Sequence, residues 1–543
     1  MRKFLISLVL ISFIPLFDLL SPGLPITHDG EDHVARIANF YQNLSEGNII
    51  PRWAANLNWG YGHPILMFLY PFPSYSASLF HFLGFSFIDS FKIVLGISFI
   101  LSGVFMFVWL REFLEEFPAF LGALLYMFAP YRFVDLYVRG ALGEHFAFVF
   151  LPLIFYFLLK LSKEERFNPL TLSGGAFSLM GLFLSHNAVS IMFLPIAFIY
   201  SLYLVFLRKK RSKLLFRYLF MLLLGIGLAS FFLLPAYFEG KYTLRDIVTA
   251  KDYATRFMEI KNFVYGQWSY GISGQFTVQL GIIHWIFLLA SLPVTVVLYK
   301  QKNKLWILNF GLFILTLATI FLMTPQSHFI WDKITILQKF QFPWRFLTVT
   351  IFLSSALGAL VMSQAKNYRK LLAVIFIVLI LWSNKNYWHA KEYRVINESF
   401  FTGVYNGTTD TGESSPVWSV RFMENRPKDR IEIIKGDAEV KEISRISTKH
   451  QYEINSSGPA RIRENTLYFP GWMVLVDGVK TAIEFQDPNN RGLITFGVPK
   501  GSHNVLLEFR ETKLRLFSNI ISFFSLILVS ILLLWKNKQF LLF

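Results

Sequence analysis

Arg208-Lys209-Lys210-Arg211-Ser212-Lys213 separates two long apolar blocks, and its reading decides the rest of the chain. Apolar blocks of roughly 15 to 23 residues, the length that crosses ~30 Å of hydrocarbon as a helix, recur on both sides of it. A short loop this basic belongs on the cytoplasmic side under the positive-inside bias. Counting outward puts Lys300, Lys302 and Lys304 on the same side, then Lys366, Arg369 and Lys370, then Lys536 and Lys538, and residues 160–166 upstream. The weakest member of this inside set is 111–116, which is net acidic. The count predicts about twelve spans with both termini cytoplasmic. The fold class expected is an α-helical polytopic membrane protein of the plasma or inner membrane.

Composition agrees. Of 543 residues, 54% are hydrophobic and 60 are Phe, and the mean hydropathy is +0.46. Apolar surface on that scale, spread in repeated blocks, is solvated only by a bilayer. The net charge of +17 resides in short loops between those blocks, which excludes nucleic acid as the partner. With no Cys, neither a disulfide nor a thiolate metal site can form. Met1-Arg2-Lys3 followed by apolar residues 4–20 resembles a signal peptide, but Ser21-Pro22-Gly23-Leu24-Pro25 offers no small-x-small cleavage site. An uncleaved first span is expected.

Residues 64–84 would be one span too many. They carry Pro64, Pro71 and Pro73 among many aromatics, and proline breaks the backbone ladder that a lipid-facing helix must complete internally. A re-entrant or interfacial element is expected, so that 21–86 is one outer loop. Between 384 and 512 the pattern changes to charged residues alternating with Ile, Val and Leu, as in Arg430-Ile431-Glu432-Ile433 and Val505-Leu506-Leu507-Glu508-Phe509. Alternation marks strands, and turn signals such as Asp477-Gly478 divide them, so an extracytoplasmic β-sandwich is expected. The division is then a transmembrane domain over 1–383, the β-domain over 384–512 and a last span over 513–543.

Few spans hold an ionisable residue, His284 being the main exception, which argues against an ion-coupled transporter and for chemistry at the outer surface. The first outer loop reads Thr27-His28-Asp29-Gly30-Glu31-Asp32-His33-Val34-Ala35-Arg36, with apolar residues at helical spacing beyond it. That describes an amphipathic helix at the membrane surface, opened by Asp29, with Asp32 and His33 on the same face. A carboxylate beside a histidine can serve as general base. Equally, Asp29 can be an N-cap, Asp32 the far end of a capping box, and Asp32 with Arg36 a surface pair. A second segment, Arg132 to His145, combines acids, glycines and Arg139, and arginine holds phosphate bidentately. The alternative is that these side chains snorkel at the bilayer interface. His33, His63, His145 and His186 fall on the outer side without metal-ligand spacing, so no cofactor is required and a divalent cation stays open. In the loop 239–279, Trp268 with Tyr265 and Tyr270 can stack on sugars or form an interfacial belt.

Several motifs follow one another in order. They are Gly47-Asn48-Ile49-Ile50-Pro51-Arg52-Trp53, Asn58-Trp59-Gly60-Tyr61-Gly62-His63-Pro64, Arg139-Gly140-Ala141-Leu142-Gly143-Glu144, Ser185-His186-Asn187, Gln341-Phe342-Pro343-Trp344-Arg345-Phe346 and Tyr468-Phe469-Pro470-Gly471-Trp472. Over nearly the whole chain this arrangement resembles the YfhO-like, 6-pyruvoyl-tetrahydropterin-synthase-related bacterial membrane proteins, although no zinc triad or soluble pterin-synthase pattern accompanies it. That family is similar to the GT-C glycosyltransferases. The resemblance implies transfer of a sugar from a polyprenyl-phosphate carrier to a glycan or cell-envelope acceptor hydroxyl at the outer face, with Asp29 as the first-loop base. Glu31 and Asp32 are further acids in the same run, and His33 is a helper. Arg36, Arg139, Glu144, Arg345 and Trp268 are the expected substrate-binding set. The other function class open to the sequence is a non-catalytic glycan-binding membrane protein or a lipid-substrate flippase, neither of which needs Asp29.

Overall fold

In hydrocarbon an unpaired backbone N–H or C=O costs several kcal/mol, so the long apolar runs close into helices that satisfy every such group internally. A computed structural model describes residues 1–271, 276–365 and 368–540. Among these, nine helices are long and apolar enough to span a bilayer, the first being Arg2–Leu20 and the last Lys513–Leu534. Glu116–Met127 and Pro130–Arg139 form a further candidate span bent by 47°. Two shorter apolar helices, Pro169–Phe183 and Val374–Tyr387, complete the set. The chain is a polytopic helical membrane protein with a C-terminal β-domain, as its apolar blocks and strand-like alternation predict.

Four of the expected inside segments, the N-terminus, 111–116, 160–166 and the stretch from Arg208 to Arg217, meet at one end of the bundle. The N-terminal ammonium pairs with Glu116. Glu112 bridges Lys160 at 2.9 Å and Lys163 at 2.8 Å. Arg217 donates to the Glu164 carbonyl at 2.7 Å. Of the acidic residues that weaken the charge count over 111–116, Glu112 is therefore paired with the next basic loop and Glu116 with the N-terminus. Lys366 lies outside the described residues, as do the side chains of Arg369, Lys370, Lys536 and Lys538.

Residues 64–84 fold as a turn, Pro64–Met67, and an 11-residue helix, Phe72–Phe82. Eleven residues rise about 16 Å, half of a bilayer core. Pro64 and Pro73 stand in the first turns of these helices, where a missing N–H breaks nothing. Phe72 donates to the carbonyl of Leu184, just past one helix end, and His81 stacks at 3.6 Å on Phe87, which opens the next helix.

The β-domain is two antiparallel sheets of five and three strands. In the larger, Lys449–Ser456, Gly501–Phe509 and Trp472–Val476 lie side by side and bury Tyr452, Ile454, Val474, Val505 and Leu507. Asp477 and Gly478, both at positive φ, form the two-residue turn between Val476 and Val479, as a tight hairpin requires. The boundary differs from the expected 384. Apolar alternation begins only at Ile431, and upstream the chain is a strap rich in Gly, Thr and Asn. That strap pairs Tyr393–Arg394 with Leu24–Pro25 of the first loop and returns across the loop's helix.

Three contacts root the sandwich on the helices. Trp53 of the first loop is buried against Trp472 and Phe509. Arg52 bonds Glu511 at 2.7 Å and Asn519 at 2.9 Å. Arg515, fully buried, bonds Glu239 at 2.8 Å, and Glu239 also accepts from Thr512 at 2.8 Å.

Removing one partner from a buried ion pair costs roughly 3 to 5 kcal/mol, because the other charge is left without compensation. Arg515→Ala is therefore expected to lower the thermal unfolding midpoint of the detergent-solubilised chain by several degrees. Glu239→Leu combined with Arg515→Met should recover most of that loss. Tryptophan fluorescence during heating reads both, and an unchanged midpoint for Arg515→Ala would remove this anchor from the account.

Candidate functional site

The site is assembled by backbone pairing between two distant segments. His28 and Asp29 donate to the carbonyls of Val138 and Arg139 at 3.0 and 2.8 Å. Gly140 takes φ +64°, and a Cβ there would lie 2.4 Å from Thr27 Oγ1 and 3.2 Å from the nitrogen of Gly30. Only glycine combines that conformation with so close an approach. The helix Gly30–Ser45 then starts against the buried end of the bent pair.

Asp29 occupies the cap position but its side chain caps nothing. Gly30 N–H is bonded instead to Thr27 Oγ1 at 3.1 Å. The capping-box reading fails as well, since Asp29 N–H goes to Arg139 and Asp32 accepts from Tyr405 Oη at 2.8 Å. The Asp29 carboxylate is thus half-buried with no hydrogen-bond partner among the described residues, within the electrostatic reach of Arg139 and Tyr70.

Its neighbours are committed elsewhere. Glu31 pairs with Arg394 of the strap. Burial raises the Asp32 carboxyl above the ordinary aspartate value, and Tyr405 and Arg36 offset this only in part. Arg36 turns to Thr409 rather than to Asp32, and also donates to His33 Nδ1 at 3.0 Å. A guanidinium only donates, so His33 Nδ1 accepts and its proton sits on Nε2. Burial, reinforced by Arg36 and Arg139, holds His33 well below its ordinary pKa. Two expectations are corrected here. His33 has no free lone pair to act as a base, and Arg36 is spent on holding the strap.

Residues 132–145 are not a surface loop. Pro130–Phe133 continues into a π turn, Val134–Arg139, and helix resumes at Leu142 after the break at Gly140. Arg132, Asp135, Arg139 and Glu144 are all buried in protein, so the snorkelling reading fails for each. Arg132 is structural, 3.9 Å over the Phe148 ring and bonded to Ser102. Arg139 Nη1 meets Asp135 at 2.6 Å and Glu144 at 2.7 Å. Glu144 also accepts from Tyr131 and Thr348 hydroxyls, each at 2.7 Å. Arg345 stands 4.0 Å from Glu144 and bonds the Phe340 carbonyl through Nη1. Arg139 therefore uses one nitrogen for its carboxylates, and among the described residues its Nε and Nη2 have no hydrogen-bond partner. The buried Nε of Arg345, the atom 4.0 Å from Glu144, makes no hydrogen bond among them either.

Aromatic rings wall the space between these groups. Trp344 lies under Arg139 at 5.0 Å and meets Phe276, which also packs on His28. Tyr70 stacks on His186 and fills the space that a side chain at 143 would need. Asp29, Arg139, Glu144 and Arg345 are thus brought together as the sequence suggests, and Tyr70, Tyr131, Trp344 and Thr348 join them unannounced. Trp268 stands apart from this cluster, with Tyr387 stacked on one face at 4.4 Å. Its loop contributes Phe276 instead, and residues 272–275 of that loop lie outside the described residues. Among the described residues no three carboxylates or imidazoles converge as metal ligands. Glu31 and Asp32 are held by Arg394 and Tyr405, so these acids do not form a cation cage.

The sequence model of the 6-pyruvoyl-tetrahydropterin synthase related domain, a membrane-protein family, matches residues 66–390. An uncharacterized protein of Lactococcus lactis subsp. cremoris is 25% identical over 328 residues, which are 58% of this chain and 53% of that one. The chain thus matches about half the length of that relative. Among solved structures, the mycobacterial arabinofuranosyltransferase AftD is similar over 72% of this chain and 27% of its own, with 14% identity and a TM-score of 0.45. The apo Archaeoglobus fulgidus oligosaccharyltransferase is similar over 76% and 61%, with 11% identity and 0.44. ArnT from Cupriavidus metallidurans, bound to undecaprenyl phosphate, is similar over 70% and 64%, with 10% identity and 0.39.

Two substitutions probe this construction. A side chain in the left-handed region costs about 1 kcal/mol or more, so Gly140→Ala, with its added clash, should destabilise by roughly 1 to 3 kcal/mol. Adding Thr27→Ala should return part of the loss in thermal unfolding, and no return would mean that Thr27 is not the obstacle. For Asp32, a raised native pKa means that the fold favours the protonated acid. Its contribution is complete below the ordinary aspartate range and is lost as pH rises through the native pKa. Asp32→Asn should therefore raise the unfolding midpoint at pH 7, with the gain shrinking toward pH 4. A gain that grows on acidification would reverse the assignment.

Proposed function

This chain belongs to the 6-pyruvoyl-tetrahydropterin synthase related family of membrane proteins, and on that premise we propose that it is a glycosyltransferase using a polyprenyl-phosphate-linked sugar. The observation that carries the reading is the Asp29 carboxylate, uncommitted among the described residues, beside Arg139, whose guanidinium keeps a free edge, with Arg345 a second cation next to Glu144. A carboxylate of this kind takes a proton, and such guanidinium edges hold a phosphate. The acceptor hydroxyl gives its proton to Asp29 as its oxygen bonds the anomeric carbon. The bond from that carbon to the carrier phosphate breaks with inversion, and the electron pair leaves on the phosphate. Arg139 and Arg345 balance the charge that collects there, in a pocket where water competes little. Asp135 and Glu144 fix Arg139 in place and are positioning residues. Glu144, expected from the sequence to bind substrate, instead accepts from Arg139, Tyr131 and Thr348.

Sidedness follows from the positive-inside bias. The end carrying Lys160, Lys163, Arg208 and Arg217 faces the cytoplasm, and the site faces outward.

Asp29→Asn should lower transfer of labelled sugar from polyprenyl phosphate by roughly a hundredfold or more at equal protein, because the amide cannot take the proton. Asp32→Asn, which can keep a bond from Tyr405, should stay active. A dead Asp32→Asn beside an active Asp29→Asn would move the base to Asp32, and activity in all of the Asp29, Glu31 and Asp32 variants would end the transferase reading. The chain has no cysteine, so orientation is tested directly. In intact cells an impermeant thiol reagent should label a cysteine at exposed Val395 and leave one at exposed Lys209 unmodified. The reverse pattern would invert the topology.

A further inference from the structure

Away from the buried site, a polar cleft of about 220 Å³ opens where three distant segments meet. Tyr61 of the first loop forms one wall, residues 423–425 of the strap another, and Arg463, Asn465 and residues 489–493 of the sandwich the third. The walls are tied together by the backbone. Asn58 and Trp59 both take left-handed φ, +54° and +60°, a conformation that a side chain as large as Trp rarely adopts. It is enforced from outside. Their N–H groups donate to Gly407 and Tyr405 carbonyls at 2.8 and 2.9 Å, and Asn58 Oδ1 accepts from Met423 N–H at 3.0 Å. Arg430 bonds the Gly60 carbonyl at 2.7 Å, and Leu467 N–H bonds that of Tyr61 at 2.9 Å. Backbone strain held by this many partners is characteristic of functional sites.

The polar groups of the cleft divide into spent and free. Asn465 is used by Asp429 and Glu432, and Asn490 by Arg463 and Asp487. Arg463 is matched by Glu432, and Arg491 lies 3.6 Å from Glu424. By contrast the exposed side-chain amides of Asn425 and Asn489 and the phenol of Tyr61 make no hydrogen bond within the described residues. Each amide offers two donors and an acceptor, the inventory that a ring of hydroxyl groups complements. Glu432 and Glu424, beside Arg463 and Arg491, offset the two positive charges of the cleft.

We propose that this cleft is a binding site for a neutral carbohydrate, one or two sugar units at a time. It involves none of the residues assigned to sugar transfer, so it stands or falls separately from that activity. The test is saturation-transfer NMR with calorimetry on the purified full chain in detergent, using maltotriose, tri-N-acetylglucosamine and, as an acidic control, trigalacturonate. At least one neutral sugar should bind saturably, and Asn425→Ala with Asn489→Ala should weaken it by about tenfold or more. That double variant should unfold at the wild-type temperature, since neither side chain is bonded internally. Asp29→Asn should bind as wild type does. Binding of no neutral sugar, binding of trigalacturonate alone, wild-type affinity in the double variant, or loss of binding in Asp29→Asn would each overturn the proposal.

Discussion

Two carboxylates, Asp135 and Glu144, converge on one nitrogen of Arg139 inside the helical bundle, and the rest of the site is arranged around that cation. Burying three charges is costly, and the cost is offset only where each finds further partners. Tyr131 and Thr348 complete Glu144, and Trp344 lies against the guanidinium. The backbone yields to these requirements. A regular helix places Arg139 and Glu144 on different faces, whereas a π turn followed by left-handed Gly140 folds them toward each other. The same break exposes the carbonyls of Val138 and Arg139, which the first loop occupies with its N–H groups. One local irregularity thus creates both the cation cluster and the place where Asp29 docks.

The strap between the last helices and the sandwich acts as a second fixing device. It binds Glu31 through Arg394, Asp32 through Tyr405 and Arg36 through Thr409, and it reaches Gln341 through Glu413 at 3.0 Å. Nearly every charged side chain on the exposed start of the first-loop helix is thereby occupied, and Asp29 is the exception. A carboxylate left free among satisfied neighbours is the group that remains available to a substrate. The strap also joins the membrane helices to the sandwich, whose own anchors, Arg52 and Arg515, enter from the opposite direction along the last span.

Much of the architecture was legible because hydrocarbon imposes a simple rule. Apolar length marks a helix, loop basicity marks a side, and prolines with an unworkable span count mark 64–84 as an element that does not cross. The alternation around Ile431 to Ile433 and Val505 to Phe509 revealed the sandwich. It did not reveal the strap, whose Gly, Thr and Asn residues have no period and are ordered only by what they touch. In the site, Asp29 stood out at the start of an amphipathic helix, and Arg139, Glu144 and Arg345 through the motifs that carry the family resemblance. Tyr70 and Trp344 did not, since one aromatic in a Phe-rich chain resembles another until its neighbours are known.

The sequence by itself determined that the chain is a polytopic helical membrane protein and where its long apolar helices run, because partition into hydrocarbon depends on composition summed over a window and not on contacts. Tertiary structure alone decided which charged groups are spent and which are free. Local spacing allowed Asp29 to cap its helix, His33 to be a base, Arg36 to bind substrate and Trp268 to stack on a sugar. Thr27 bonds the Gly30 N–H in place of an Asp29 cap, Arg36 occupies His33 Nδ1, Thr409, hundreds of residues away, holds Arg36, and Tyr387 covers one face of Trp268. The physical reason is that the state of a polar group is set by the few atoms within hydrogen-bonding distance, and those come from wherever the fold places them.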